Sequence, residues 1–250
     1  MAKRLPKLIE ALAKRYEAEG KKAELTDLRD PFQVGAWYIL GKHAKRNGQA
    51  RAYEALRRAK GLTPGQLLDI SPEKLHTICQ TAGPYEDQRA KELYAYADQI
   101  EEKCGQDFSK IFKSQSDAKK FLENDLHRPR EFVEFLLLYG GGFPVFPADT
   151  RVARVALRLG LIKVKNDKAP PDEKTMKEAQ KALEAETGKD VDMIVRAHGL
   201  FYRHANDTCT ASAPACDQCP LLKECPYGKA NPVEPRPQPA YGSQRFHNNV

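Results

Sequence analysis

Residues 209–225, CTASAPACDQCPLLKEC, set Cys209, Cys216, Cys219 and Cys225 in the order Cys-x6-Cys-x2-Cys-x5-Cys. Four thiols compressed into one proline-broken segment read as a metal site. Thiolates gathered round one centre hold a loop that has too little apolar surface to hold itself, and Pro214, Pro220 and Pro226 already restrict the paths between them. Zinc is one occupant for such a knot, but zinc ribbons present two Cys-x2-Cys knuckles, and here there is one. The spacing also differs from ferredoxin runs, whose first three cysteines are tightly and evenly spaced. A disulfide pair is the remaining alternative; six cysteines without a secretory signal point instead to a reducing compartment. Cys79 and Cys104 lie outside the motif and read as ordinary buried thiols.

The rest of the 250-residue chain supplies the scaffold. At 41% hydrophobic residues it can bury one large core or two modest ones. No apolar run reaches membrane-spanning length, and MAKRLPKLIEALAKRY is an amphipathic helix pattern, so a soluble, cytoplasmic monomer is expected, nucleoid-associated if bacterial. A formal net charge of +7 favours a polyanionic partner. Basic residues gather at 42–60 (Lys42, Lys45, Arg46, Arg51, Arg57, Arg58, Lys60) and at 151–168 (Arg151, Arg154, Arg158, Lys163, Lys165, Lys168). Each patch reads either as a grip on a nucleic-acid backbone or as a solvated face.

Periodicity predicts an all-α protein. Leu5, Leu8, Ile9, Leu12 and Tyr16 recur at helix spacing, and Asp30-Pro31 opens a second helix carrying Phe32 to Leu40. Further helices are expected at 48–60, 64–69, 71–82, 85–104, 114–124, 129–139, 150–159, 173–186 and 190–204. Breaks are expected at Gly61, Gly83-Pro84, Gly105 and Gly140 to Gly142, with a Lys- and Pro-rich loop at 163–172 and a mobile tail at 229–250.

Residue for residue, the cysteine order resembles the iron-sulfur loop of the endonuclease III family of DNA glycosylases. Residues 143–160, FPVFPADTRVARVALRLG, resemble the stretch that carries the catalytic aspartate in the wider helix-hairpin-helix superfamily. Residues 80–94, QTAGPYEDQRAKELY, are similar to its Gly-hydrophobe-Tyr turn, and 31–44 to its early helix. The likeness runs from about Leu5 to Tyr227. It implies the helix-hairpin-helix glycosylase fold, with a six-helix barrel domain at 31–135 and a cluster domain at 1–30 and 136–228. It also implies a 4Fe-4S cluster on Cys209, Cys216, Cys219 and Cys225, and double-stranded DNA carrying damaged or mismatched bases as the partner. Asp149 takes the place of the catalytic carboxylate, although an Asp-Thr pair at a helix start is by itself an N-cap. His43, Arg46, Arg128, Arg130, Arg151 and Arg154 are the expected DNA contacts, with Trp37 and Tyr38 lining a base pocket; aromatics at that spacing also fit a core.

Departures from the family pattern bear on mechanism. Its hairpin, Leu-Pro-Gly-Val-Gly, is replaced here by Leu126-His127-Arg128-Pro129-Arg130, without the glycines that bring backbone amides to a phosphate. Where bifunctional members carry the lysine that attacks the sugar, this chain has Phe132 or Glu131, depending on a one-residue gap, and neither forms an imine. The expected activity is hydrolysis of an N-glycosidic bond by a monofunctional glycosylase. The alternatives are a non-catalytic iron-sulfur protein that binds distorted DNA and a bifunctional glycosylase with abasic-site lyase activity.

Overall fold

The structure, a computed structural model, describes residues 4–16, 29–45, 47–105, 107–164 and 170–232. Among these, all regular structure is helical. Helix α1 (Leu5–Tyr16) buries Leu5, Leu8, Ile9, Leu12 and Tyr16 as one stripe. Its open N-terminus is closed from far along the chain: Glu186 Oε2 accepts from the Arg4 and Leu5 amides at 2.8 and 3.0 Å.

Helix α2 (Pro31–Gly41) is apolar on nearly every side. Phe32, Val34, Ala36, Trp37, Ile39 and Leu40 are all buried, as a helix at the centre of a bundle requires. Asp30 caps it, accepting from Gln33 N at 2.9 Å, and Pro31 occupies the first turn where no N–H is needed. Around α2 pack α3 (Gly48–Arg58), α6 (Glu86–Cys104) and α8 (Arg130–Tyr139). The short helices α4 (Pro64–Leu68) and α5 (Pro72–Gln80) lie on α6 and begin at Thr63-Pro64 and Ser71-Pro72, with the Thr and Ser side chains as caps.

Between α6 and α8 the chain departs from the expected pattern. A 3-10 segment, Phe108–Lys113, forms between the helices expected at 85–104 and 114–124, because Phe108 is buried against Tyr96, Phe112 and Phe121. The single helix expected at 114–124 is α7 (Gln115–Lys120) followed by a wider π turn, Phe121–Asp125. His127, at φ 48°, makes the hairpin turn into α8.

The second half of the chain folds against its beginning. Helices α9 (Thr150–Arg158), α10 (Glu173–Thr187) and α11 (Val191–Asp207) pack together, α1 lies on α10 and α11, and the short α12 (Pro226–Ala230) closes on α9. Helix α9 stops in a Schellman turn: Gly160 takes φ +67°, and Leu161 N donates to Ala156 O at 2.9 Å. Contact of α8 with α11 joins the two groups of helices. No helix among the described residues is long and apolar enough to cross a membrane. Arg46, part of the 163–172 loop and most of the 229–250 tail lie outside the described residues.

Candidate active site and metal centre

Asp149 sits where α9 begins and does what a cap does. Its Oδ1 accepts from the amides of Arg151 and Val152, both at 2.9 Å. Its Oδ2 accepts from Arg151 Nε at 2.8 Å. The guanidinium continues outward, with NH1 donating to the Tyr202 hydroxyl at 2.7 Å and Cζ standing 4.5 Å from the centre of that ring. Carboxylate, guanidinium and phenol thus form one chain from the N-terminus of α9 to the middle of α11.

Tyr38, on α2, faces the same point. Its ring packs on Phe132 and Phe135, and burial, followed by the charges of Glu131 and Asp149, raises its hydroxyl pKa, so the group remains a neutral donor. Beneath it His198 is buried and hydrogen-bonded through Nδ1 to the Tyr139 hydroxyl at 2.7 Å. Burial pulls the His198 pKa down to about 4, against the pull of the Asp149 carboxylate, and the imidazole is neutral at physiological pH. Behind Asp149, the buried Glu134 accepts from Arg130 NH1 at 2.7 Å and from the Ala148 amide at 3.4 Å. Arg130 NH2 in turn donates to Ala148 O at 3.1 Å. An ion pair on α8 therefore holds both backbone polar atoms of Ala148, the residue next to Asp149.

The expected DNA contacts are redistributed. Arg128 turns inward, donating to Gln99 Oε1 at 2.6 Å with its guanidinium over the rings of Tyr96 and Phe132. It braces the hairpin that lacks the glycines. Arg130 serves Glu134 and Ala148, and Arg154 donates to Cys209 O at 3.1 Å and Ala205 O at 3.0 Å. The cause is the same throughout: buried carbonyls and carboxylates need donors, and long cations near the surface reach back to supply them. Trp37 is a correction to the pocket assignment. It is 5% exposed, with its ring edge on Tyr53, and belongs to the core. His43 is exposed in a left-handed turn, φ 53°, with its ring 4.9 Å from that of Tyr85. Tyr85, Tyr202 and His198 were not expected from the sequence; Tyr85 alone had a local signal, the Gly83-Pro84-Tyr85 turn.

Cys209, Cys216, Cys219 and Cys225 line one cavity together with Arg158 and His204. Donors approach the sulfurs: Arg158 NH1 lies 3.3 Å from Cys209 Sγ, and Gly228 N lies 3.3 Å from Cys225 Sγ. Arg158 also donates to the carbonyls of Thr210 at 2.7 Å and Ala211 at 3.0 Å, clamping the stretch between the first two cysteines onto α9. Burial raises the thiol pKa values of Cys216, Cys219 and Cys225, Cys219 to about 11, so these sulfurs hold protons unless a positive centre displaces them. Among the described residues no three Cys, His, Asp or Glu side chains are drawn closely enough together to hold a single ion.

Comparison with known proteins gives this arrangement its context. The chain is 25% identical over 201 residues to the endonuclease III of Thermotoga maritima, an overlap of 79% of this chain and 84% of that one. To the endonuclease III of Treponema pallidum it is 26% identical over 163 residues, 65% of this chain and 68% of the relative. In fold it is similar to a trapped endonuclease III–DNA covalent intermediate, with a TM-score of 0.66 at 19% identity over 92% of this chain and 98% of that one. It is likewise similar to a thermostable thymine-DNA glycosylase, with a TM-score of 0.68 at 12% identity over 90% and 97% of the two chains. The model of the HhH-GPD superfamily of base excision DNA repair proteins matches residues 39–185, the stretch that carries the hairpin and Asp149, and the chain belongs to that superfamily.

Proposed function

We propose that the protein is a monofunctional DNA glycosylase that draws a damaged or mismatched base out of the duplex and hydrolyses its N-glycosidic bond with Asp149. The observation that carries the reading is the Asp149–Arg151–Tyr202 chain at the open end of α9, beside the neutral hydroxyl of Tyr38. Breaking the glycosidic bond puts oxocarbenium-like charge on the deoxyribose, and a fixed carboxylate stabilises that charge or orients the incoming water. Arg151 holds the carboxylate aimed, through its Nε bond to Oδ2. No imine is available from the two candidate positions, since neither the phenyl ring of Phe132 nor the carboxylate of Glu131 carries an amine.

The cysteine cavity fits a 4Fe-4S cluster on Cys209, Cys216, Cys219 and Cys225: four sulfurs from one loop surround it, and a guanidinium and a backbone amide donate to two of them. Bound there, the cluster would supply the core that this loop lacks. A division into a helical domain around α2 and a cluster domain built from both chain ends is consistent with the packing of α1 on α10 and α11.

The test is a panel of duplexes, each carrying one lesion, treated with alkali after incubation. Base release with the strand intact until alkali is added, and no covalent complex trapped by borohydride, is the expected result. A borohydride-trapped complex would establish the bifunctional reading instead. The non-catalytic reading draws on the engagement of both Asp149 oxygens and on the missing hairpin glycines; it prevails if lesion duplexes are bound and none is cleaved.

A further inference from the structure

His204 is 2% exposed, on the last turn of α11, and it touches the cysteine loop twice. Its carbonyl accepts from the Cys209 amide at 2.7 Å, and its ring Nε2 stands 3.8 Å from Cys219 Sγ. The other ring nitrogen, Nδ1, lies 2.9 Å from the hydroxyl of Tyr16, the last residue of α1, and that hydroxyl lies 2.8 Å from Thr208 Oγ1. Tyr16 and Thr208 are buried as well. Tyr16 is itself held from α11, since the Arg203 guanidinium donates to Tyr16 O at 2.9 Å and stands 4.9 Å from the centre of its ring. A cation thus closes the carbonyl end of α1 and fixes the place of the phenol.

Counting protons decides which way these bonds run. Thr208 and Tyr16 each carry one hydroxyl proton, and a neutral imidazole carries one N–H. A Cys219 sulfur that ligates a metal carries none. The group that meets such a sulfur favourably is Nε2–H, which leaves Nδ1 to accept from the Tyr16 hydroxyl and the Tyr16 oxygen to accept from the Thr208 hydroxyl. The opposite direction would aim the Nε2 lone pair at an anionic sulfur. Three bonds therefore point the same way, from Thr208 through Tyr16 and His204 to Cys219, and bonds aligned in series polarise one another. Arg158 and the Gly228 amide approach Cys209 and Cys225 in the same manner, and His204 supplies the donor for Cys219 from α11.

We propose that His204 donates from Nε2 to the Cys219 sulfur and so raises the reduction potential of the cluster held there, with Tyr16 as the positioning residue that fixes the imidazole through its hydroxyl. The proposal rests on the 4Fe-4S reading above. A donor drawn up to a ligating sulfur withdraws negative charge from it and favours the reduced, more negative state of the centre. Helix α1 supplies none of the four cysteines, yet through Tyr16 it acts on the potential of a loop some two hundred residues away in sequence.

The test uses the full chain purified anaerobically and reads iron per chain, Tm and the midpoint potential from spectroelectrochemical titration. His204→Phe keeps an aromatic ring without a donor and should make the potential more negative, shifting the reduction equilibrium about tenfold, or about 59 mV for one electron. His204→Gln offers a side-chain amide N–H to the sulfur and should recover most of that shift. Tyr16→Phe removes one hydroxyl and keeps the ring against Arg203. It should move the potential in the same direction by about two- to threefold, and should add nothing in the His204→Phe background, where no imidazole is left to position. A purely structural role would instead lower Tm or iron content and leave the potential of the loaded chains unchanged. An unchanged potential in iron-loaded Tyr16→Phe overturns the proposal, and it decides the matter if His204→Phe retains no iron. A shift to more positive potential, the sign expected when water reaches the centre, overturns it too. A wild-type chain that carries zinc and no iron overturns the cluster reading, and this proposal with it.

Discussion

The Asp149 carboxylate both closes the start of α9 and pairs with Arg151, so removing its charge and removing its side chain are different experiments. Asparagine caps a helix as well as aspartate does, and the Arg151 pair is partly open to solvent, with side chains 42% and 23% exposed. Asp149→Asn should therefore cost less than about 1 kcal/mol in thermal unfolding while lowering base release by at least ~10²-fold in single-turnover assays. Asp149→Ala should lose activity and a further ~1 kcal/mol of cap. Full activity in Asp149→Asn would leave the residue as a cap alone. His198 gives a pH signature at the same site. Its pKa falls from an ordinary 6.5 to about 4 because it is buried against Tyr139, Phe135 and Phe146, with Asp149 and Arg151 nearby. The unfolded chain takes up the proton first, so the contribution is complete above pH 6.5 and is lost as pH falls toward 4, by up to about 3 kcal/mol. His198→Gln should flatten that part of the stability–pH curve measured by urea denaturation. Asp149 was legible because a cap pattern is local. Its partners were not, since Tyr202 and His198 reach it across some fifty residues that no spacing rule connects.

Helices α8 and α9 show why their arginines were harder to read than their boundaries. The apolar stripes and the Asp and Pro starts are written into adjacent residues, and the element limits expected from them hold to within a few positions. Whether a cation meets solvent or a buried carbonyl depends on what another element leaves unsatisfied. Arg130 and Glu134 on α8 hold the Ala148 peptide, while Arg154 and Arg158 on α9 hold the carbonyls of Cys209, Thr210 and Ala211. Glu134→Ala would leave Arg130, whose side chain is 18% exposed, without its hydrogen-bonded carboxylate, Glu131 standing at 3.9 Å, and should cost about 2–4 kcal/mol in urea denaturation. Glu134→Gln keeps an acceptor for the guanidinium and should cost clearly less. Equal losses in the two variants would mean that the charge carries the whole effect and the neutral contact adds nothing. The π turn before α8 had no sequence signal, because it answers what its Phe121 and Leu122 pack against rather than any local pattern.

At the scale of the whole molecule the net charge of +7 overstates the cation available to DNA, since Arg89, Arg128, Arg130, Arg154 and Arg158 are all engaged with internal acceptors. Helix α9 runs from Asp149 to the cysteine loop, and α11 runs beside it from His198 and Tyr202 to His204, so the candidate active site and the cysteine loop share two helices. This arrangement separates two consequences of removing a charge. Arg51 is exposed on α3, donating only to Thr81 O at the surface at 3.3 Å, and Arg51→Glu should weaken duplex binding at every sequence and reduce the slope of log K against log salt by about one, with Tm nearly unchanged. Arg154→Glu should do the reverse. It would set a carboxylate against the carbonyls of Ala205 and Cys209, loosening the cysteine loop from α9, and should lower Tm and the iron retained per chain while leaving the salt slope of the folded fraction unchanged. A salt slope that falls by one in Arg154→Glu with Tm and iron intact would show that this arginine leaves its internal acceptors for a phosphate when DNA is bound.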